Sequence, residues 1–314
     1  MFLSLLLASF LTLVELNCEN LFDFMHDEGK EDTEFLPSGV RRWTPRRYWG
    51  KVNNIARGII SCGFTPDDDT LPDLVALCEV ENDSVMRDLT RRSLLRNAGY
   101  EYIMTDSPDR RGIDVALLYS PFSFSPVSHR SLRPGPVKGM RPTRDILYVS
   151  GRIITGDTLH IFVVHAPSRH GGERFSRPFR MAVAGTVLAA VDSIRALSPD
   201  AGIIVAGDFN AYASDRSVAC FVSGGLTDVT AGAKGRGGVA GTYRYKGRWG
   251  SLDHVFAGGS ILTRFEASRV GDAPFLIEED AVYGGVQPRR SFVGMRYSPA
   301  GVSDHLPLIV RFRL

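Results

Sequence analysis

Asn17, Glu79, His165, Asp208 and Asn210 each stand where an apolar run gives way to a polar residue, and Asp253 in SLDH and the Asp304–His305 pair in SDH complete a set of eight. Carboxylates, carboxamides and imidazoles are the groups that acid–base catalysis and hard-metal binding draw on. Oxygen donors with few thiolates suit magnesium or calcium better than zinc. Two histidines with spare carboxylates suit proton transfer on a phosphate ester. Singly, each member is weak: a histidine after a strand is more often a satisfied core residue, and SDH arises by chance in many chains. The GDFN turn is firmer, because glycine permits a tight turn that exposes both Asp208 and Asn210. Specificity lies in the whole set, in this order, with each member at or within a strand.

The apolar runs themselves must position these residues. Leu11–Leu16, Leu74–Leu77, Val115–Tyr119, Ile146–Ile154, Ile161–Val164, Ile203–Ala206, Leu252–Phe256 and Leu306–Phe312 have strand length and predict strands covered on both faces. Tyr48, Val52, Ile55, Ile59 and Ile60 mark a helix that Pro45 can start. A second helix is expected over Ser84–Asn97 with Ser84 as N-cap, and a third over Pro178–Leu197 with Phe179, Val183, Val187, Val191 and Ile194 on one stripe. Strands alternating with helices, followed by consecutive late strands, make an α/β layered domain. In open α/β sheets ligands bind beyond the strand carboxyl ends, where the polar residues fall. Two glycine-rich stretches, 224–250 and 271–301, read as long loops. No linker or repeat interrupts the chain, so residues 1–314 are read as one domain.

Composition is that of an ordinary globular protein, 44% hydrophobic and 23% charged, which excludes disordered, collagenous and multi-span membrane classes. Net charge is only +2, but of 37 basic residues five are lysine. Arginine binds phosphate bidentately where lysine cannot; nucleotide bias in the genome explains the excess equally well. Arg41, Arg42, Arg46 and Arg47, interleaved with Trp43, Tyr48 and Trp49, either face an extended phosphate substrate or solvate a helix start while the rings enter the core, the commoner arrangement. Four scattered cysteines with no C-x-x-C pair argue against a disulfide framework, and Cys18 and Cys78 read as core residues. The opening MFLSLLLASF invites comparison with an export signal over residues 1–10. It lacks a basic n-region and a clear cleavage site and is too short to span a membrane. Cytoplasmic and exported locations both stay open, with no stable membrane insertion.

With ELNCENLFD, LCEVEND, RGIDVALLY, RPTRDILYVSG, VVHAPSRHGGERF, IIVAGDFNA, WGSLDHVF and GVSDHLPL, the sequence resembles the endonuclease/exonuclease/phosphatase superfamily over nearly its whole length. HAPSRHGGE and GTYRYKGRWGSLDH are similar to the branch found in many bacteria. The resemblance implies the deoxyribonuclease I-like fold, a four-layered sandwich of two packed mixed sheets flanked by helices. It implies Glu79 as main metal ligand with Asn17, Asp304 near the metal, and Glu19 where some members place a second acidic ligand. Asp208 would activate water and Asn210 hold a phosphate oxygen. His305, its tautomer fixed by Asp253, and His165 would act on the phosphate, with Arg144 binding it. Arg111 and Asp114 lie where the family places a substrate contact and a partner of the first histidine, and Arg141 competes with Arg144 for its role.

The activity so implied is hydrolysis of phosphodiester or phosphomonoester bonds with Mg²⁺, Mn²⁺ or Ca²⁺ being alternatives, and with no organic cofactor or obligate protein partner. Nucleic acid is the first expected substrate, since arginine suits a polyanion. A small-molecule or lipid phosphoester of the inositol phosphate or sphingomyelin kind is the alternative. A non-catalytic binding protein on the same scaffold would lack Glu79, Asp208 or a histidine; all are present.

Overall fold

A computed structural model describes residues 10–63 and 70–314; residues 1–9, on which most of the export-signal reading falls, lie outside them. Two six-stranded mixed sheets form the frame. The first runs Phe265–Val270, Leu308–Arg313, Phe10–Leu21, Leu74–Val80, Asp114–Tyr119, Glu101–Met104, and only its two central strands, Phe10–Leu21 and Leu74–Val80, are parallel. The second runs Phe124–Leu132, Ile146–Ile153, Thr158–His165, Gly202–Asp208, Asp253–Gly258, Thr227–Asp228. Its single parallel pair is again central, Thr158–His165 with Gly202–Asp208.

Strand alternation explains why the apolar runs are continuous. In Gly202–Asp208, Ile204 and Ala206 enter the core between the sheets, while Ile203 and Val205 enter a second core under the helices. Phe162 and Val164 point the same outward way, and Ile161 and Val163 inward. A strand covered on both faces takes few polar residues before it reaches the rim. The outer helices are Pro45–Gly63 over the first sheet, and Glu173–Leu197 and Arg216–Ser223 over the second.

Several boundaries differ from expectation for identifiable reasons. Asn82, not Ser84, caps the second helix: its side chain accepts from Val85 N at 3.0 Å, and the helix ends at Arg91. The third helix starts at Glu173, behind Gly172 in a left-handed turn, and Pro178 lies inside it. The edge strand Phe124–Leu132 escaped the reading because it is mostly exposed and carries Pro126 at a register shift, a residue confined to such edges. The glycine-rich stretches contain short hairpins, among them Tyr243–Tyr245 with Arg248–Gly250. Trp43 and Tyr48 are fully buried, Arg41 lies over the Phe35 and Phe292 rings and Arg47 over Tyr297, so much of that arginine cluster packs on aromatics. All four cysteines are free.

Candidate active site

The second sheet presents a row. His165 and Asp253 flank Asp208 in register on neighbouring strands, so the ladder alone brings the three side chains together. Gly207 makes this possible: a Cβ there would lie 1.8 Å from the Val164 carbonyl oxygen. Asp208 accepts from Asn17 Nδ2 at 3.0 Å, from Asn210 N at 2.7 Å and from Asn210 Nδ2 at 3.2 Å. Burial pushes its carboxyl up to about 7, with Asp253 and Glu79 adding to the shift and His305 opposing it.

Asp253 grips His305. The imidazole Nδ1 lies 3.0 and 2.8 Å from the two carboxylate oxygens, and Thr242 donates to the same carboxylate. Burial disfavours the imidazolium, yet the Asp253 charge and hydrogen bond, joined by Asp304 and Asp208, hold the His305 pKa well above its ordinary value. The loop carrying His305 is fastened to the first sheet: Ser303 Oγ donates to the Asn17 carbonyl at 2.7 Å and accepts from His305 N at 3.0 Å. The pairing leaves Nε2 as the imidazole edge for a ligand in the chamber.

The first sheet meets this row with a bulged rim. Register breaks after Asn17 and after Cys78, and Glu19, Asn20 and Glu79 take φ values of 49°, 59° and 61°. Left-handed non-glycine residues cost about 1–3 kcal/mol each and gather where surrounding structure imposes them. Here they turn Glu79 toward the second sheet: its Oε2 accepts from Asn20 N at 2.8 Å and its Oε1 lies 3.7 Å from His165 Nε2, which is equally far from Asp208. Glu79, Asn20, Asp304, Asn210, Arg111, Arg144, His165, Asp208 and His305 line a chamber of about 200 Å³. Six residues expected to converge, Asn17, Glu79, Asp208, Asn210, Asp304 and His305, thus surround one cleft, Asn17 from beneath through Asp208.

Two expectations are met differently. Asp114 is no partner of His165: it accepts from Thr105 Oγ1 and from Ser107 N at 3.1 Å, bracing its own loop, and His165 Nδ1 has no hydrogen bond. The cause is register, since Asp114 pairs with Val80 on the far side of the bulge. Glu19 reaches the chamber wall, but both its oxygens accept backbone N–H groups, from Ser291 and Phe292, and buried Lys51 lies 3.8 Å away. Burial beside Asp304 pushes Glu19 up to about 7. Arg144 donates to Asp109 at 3.3 Å and to the Ala166 carbonyl at 2.9 Å, and Arg111 donates to Asn20.

Sequence reading passed over Tyr243, whose ring lies 4.9 Å from His305 and lines the chamber, and Lys51, which donates to Ser291 Oγ and the Val302 carbonyl. It also passed over Glu15, fully buried two residues before Asn17 and raised well above the carboxylate range by burial and by Asp253 and Asp208. A lone carboxyl inside LTLVELN was the available signal.

The donor set fits a hard divalent cation. Glu79 and Asp304 offer oxygen to the chamber, whereas Asn17 Oδ1 accepts from Glu19 N at 2.8 Å; the Cys18 and Cys78 thiols are buried, with Cys18 pushed up to about 12 by burial. Asp208, Asp253 and His305 bring ligand-type atoms within 4.8 Å of one another, but Asp253 is already engaged by His305 and Thr242.

The sequence pattern of the endonuclease/exonuclease/phosphatase family matches residues 12–313. The chain belongs to this family. As a member it is a phosphoesterase by class, and its two sheets have the deoxyribonuclease I-like arrangement. A family protein from Bacteroides thetaiotaomicron is similar at 17% identity over 97% of this chain and 98% of its own, with a TM-score of 0.63. A mannosyl-6-phosphatase of the same organism is similar at 19% identity over 96% and 98%, TM-score 0.63. The human Nocturnin catalytic domain with bound sulfate is similar at 18% identity over 97% of each chain, TM-score 0.56. No curated protein matches the sequence.

Proposed function

We propose that this family member is a divalent-metal-dependent phosphoesterase of a single domain, working through the residues of the chamber. The observation that carries this is the in-register row His165–Asp208–Asp253, with His305 clamped to its end and Glu79 facing it across the cleft. Asp208, poised by burial, accepts a proton from the attacking water as the new P–O bond forms and the ester P–O bond breaks. Asn210 and Asn17 hold the Asp208 carboxylate in place. His305, kept protonated by Asp253, donates from Nε2 to a phosphate oxygen, and Arg144 adds fixed positive charge. His165 is held neutral by burial and by the nearby Arg144 and Arg111 cations, so it serves as a hydrogen-bonding group. Glu79 with Asp304 is the place for Mg²⁺, which when bound would supply charge stabilisation to the phosphate and leaving oxygen, and Asn17, bonded to Glu19 N and to Asp208, braces that wall from behind.

Nucleic acid is the substrate expected from the arginine content. A second reading, a small phosphate ester, is favoured by the packing of Arg41 and Arg47 on aromatic rings. No helix among the described residues is long and apolar enough to cross a membrane. The test is a panel of plasmid DNA, RNA, inositol phosphates, sphingomyelin and a bis-aryl phosphodiester, each with magnesium, manganese or EDTA. Hydrolysis of at least one ester that EDTA abolishes is expected; activity surviving exhaustive EDTA overturns the metal role, and none on any ester overturns the reading.

A further inference from the structure

Beside the reaction chamber lies a larger cleft of about 660 Å³, and Arg111, Arg144 and Ser168 line both. Clefts of about 300–1,000 Å³ suit small organic ligands, whereas the chamber has room for little beyond the reacting group. The cleft wall holds groups that the protein itself leaves unused. Thr143 is 8% exposed, and its hydroxyl makes no hydrogen bond. Arg141 is exposed on the cleft and pairs with no carboxylate among the described residues. Both lie near the start of the Glu173–Leu197 helix, whose Gly172 N-cap supplies no side chain to its first N–H groups and whose first turn lines the same cleft.

Phe175, in that first turn, exposes 57% of its surface, yet its ring packs against its neighbours. It meets Phe179 edge-on at 5.3 Å and 85°, and a Cβ on Gly171 would come within 2.9 Å of it. Burial does not account for a ring held in this way; a flat ligand stacking on it would.

We propose that this cleft binds the non-reacting part of the ester, and that this part carries a second anion, met by Arg141 and Thr143, and a flat ring laid on Phe175. The proposal rests on the phosphoesterase reading above and narrows its substrate. An acyl chain would leave Arg141 and the Thr143 hydroxyl unmet, and a sugar phosphate would meet Phe175 only through its C–H face, with less flat contact than a planar ring offers. Nucleotide chemistry supplies both features, either free or at the end of a nucleic-acid strand. The two arginines of RPTR thereby divide: Arg144 serves both spaces, Arg141 the cleft alone.

Four probes separate the features: glycerol phosphate with neither, an inositol bisphosphate with the second anion, a nucleoside monophosphate with the ring, and a nucleoside bisphosphate with both. Calorimetric affinities are measured on the full chain in EDTA, where the reading above expects no ester to be hydrolysed, for the native protein, Arg141→Gln and Phe175→Leu, each checked for an unchanged melting temperature. The nucleoside bisphosphate is expected to bind tightest. Arg141→Gln should weaken the two bisphosphates about 10- to 100-fold more than the other two probes. Phe175→Leu should weaken the two nucleosides about tenfold more than the ringless pair. Equal affinity for all four probes, or losses spread evenly over them, overturns the cleft proposal while the panel of esters still decides the phosphoesterase reading. Competition by a single-stranded oligonucleotide with the same Phe175→Leu sensitivity assigns the ring to a strand terminus; its failure to compete assigns it to a free nucleotide, and both results uphold the cleft.

Discussion

The two sheets reach the same chamber by opposite means. The rim of the second sheet is regular: ladder spacing alone sets His165, Asp208 and Asp253 side by side, and hydrogen bonds complete the geometry. The rim of the first sheet is broken, with two bulges and three left-handed residues between Asn17 and Glu79 in the fold. A regular rim suits groups that exchange protons and must keep fixed distances. A bulged rim re-aims side chains that the pleat would otherwise point to alternate faces. The lesson is that the residues proposed to handle protons and the Glu79 proposed to hold a cation depend on different parts of the backbone, so they should fail in different ways.

The steepest failure is expected at the end of the regular rim. Asp253→Asn and His305→Ala should each lower turnover by about 10⁴-fold with the fold intact, and the double variant should be little worse than either, as groups acting as a unit are non-additive. Multiplicative losses would show that the pair is no unit. Asp208→Asn should follow at about a thousandfold, within the range of a lost general base, and extra magnesium should not restore it. Glu79→Gln, on the bulged rim, should instead raise the magnesium concentration for half-maximal rate by about tenfold or more, with turnover recovering as metal is added. Recovery by metal in Asp208→Asn, or none in Glu79→Gln, would erase the distinction between the rims.

Smaller effects test the scaffold. Gly207→Ala drives a methyl into the Val164 carbonyl and should cost about 1–3 kcal/mol or more in denaturant unfolding. Asp114→Asn should leave turnover within a few fold, whereas a partner of His165 would cost orders of magnitude. Its signature is in stability. Burial pushes Asp114 up to about 6 from 3.8 against hydrogen bonds from Thr105 and Ser107. The folded state therefore holds the proton more firmly, and that contribution, full below about pH 4, is lost as pH rises through about 6. The native protein should lose melting temperature across that window, and Asp114→Asn should flatten the slope.

How far the sequence discloses this follows from the same contrast. Asp208 and His165 were legible because regular strands end abruptly at them, and Asp253 because one begins there. The core strands were legible because both their faces are apolar. Asp114 was misplaced because its role depends on bulge register, which alternation does not encode. Glu19 stood as a ligand through the family resemblance; its bonds to Ser291 and Phe292 join residues more than two hundred and fifty positions apart, which no local pattern discloses. Lys51 sat inside a helical stripe, with nothing local to distinguish it from a surface lysine, and Tyr243 lay in GTYRYKGRWGSLDH, a motif that marks a family branch without singling out that side chain.

The hydrogen bond from Ser303 to the Asn17 carbonyl spans 286 residues, and the strand Phe10–Leu21 takes its antiparallel neighbour from Leu308–Arg313. During synthesis the early strand therefore waits beside an empty place until the distant one emerges, and loop closure over such a span is slow. His305 arrives with that late segment, so the chamber is complete only once Leu308–Arg313 has joined the sheet. A product cut short before residue 303 would fold in part, expose an unpaired edge of Phe10–Leu21 to chaperones or proteases, and lack the His305 side of the chamber.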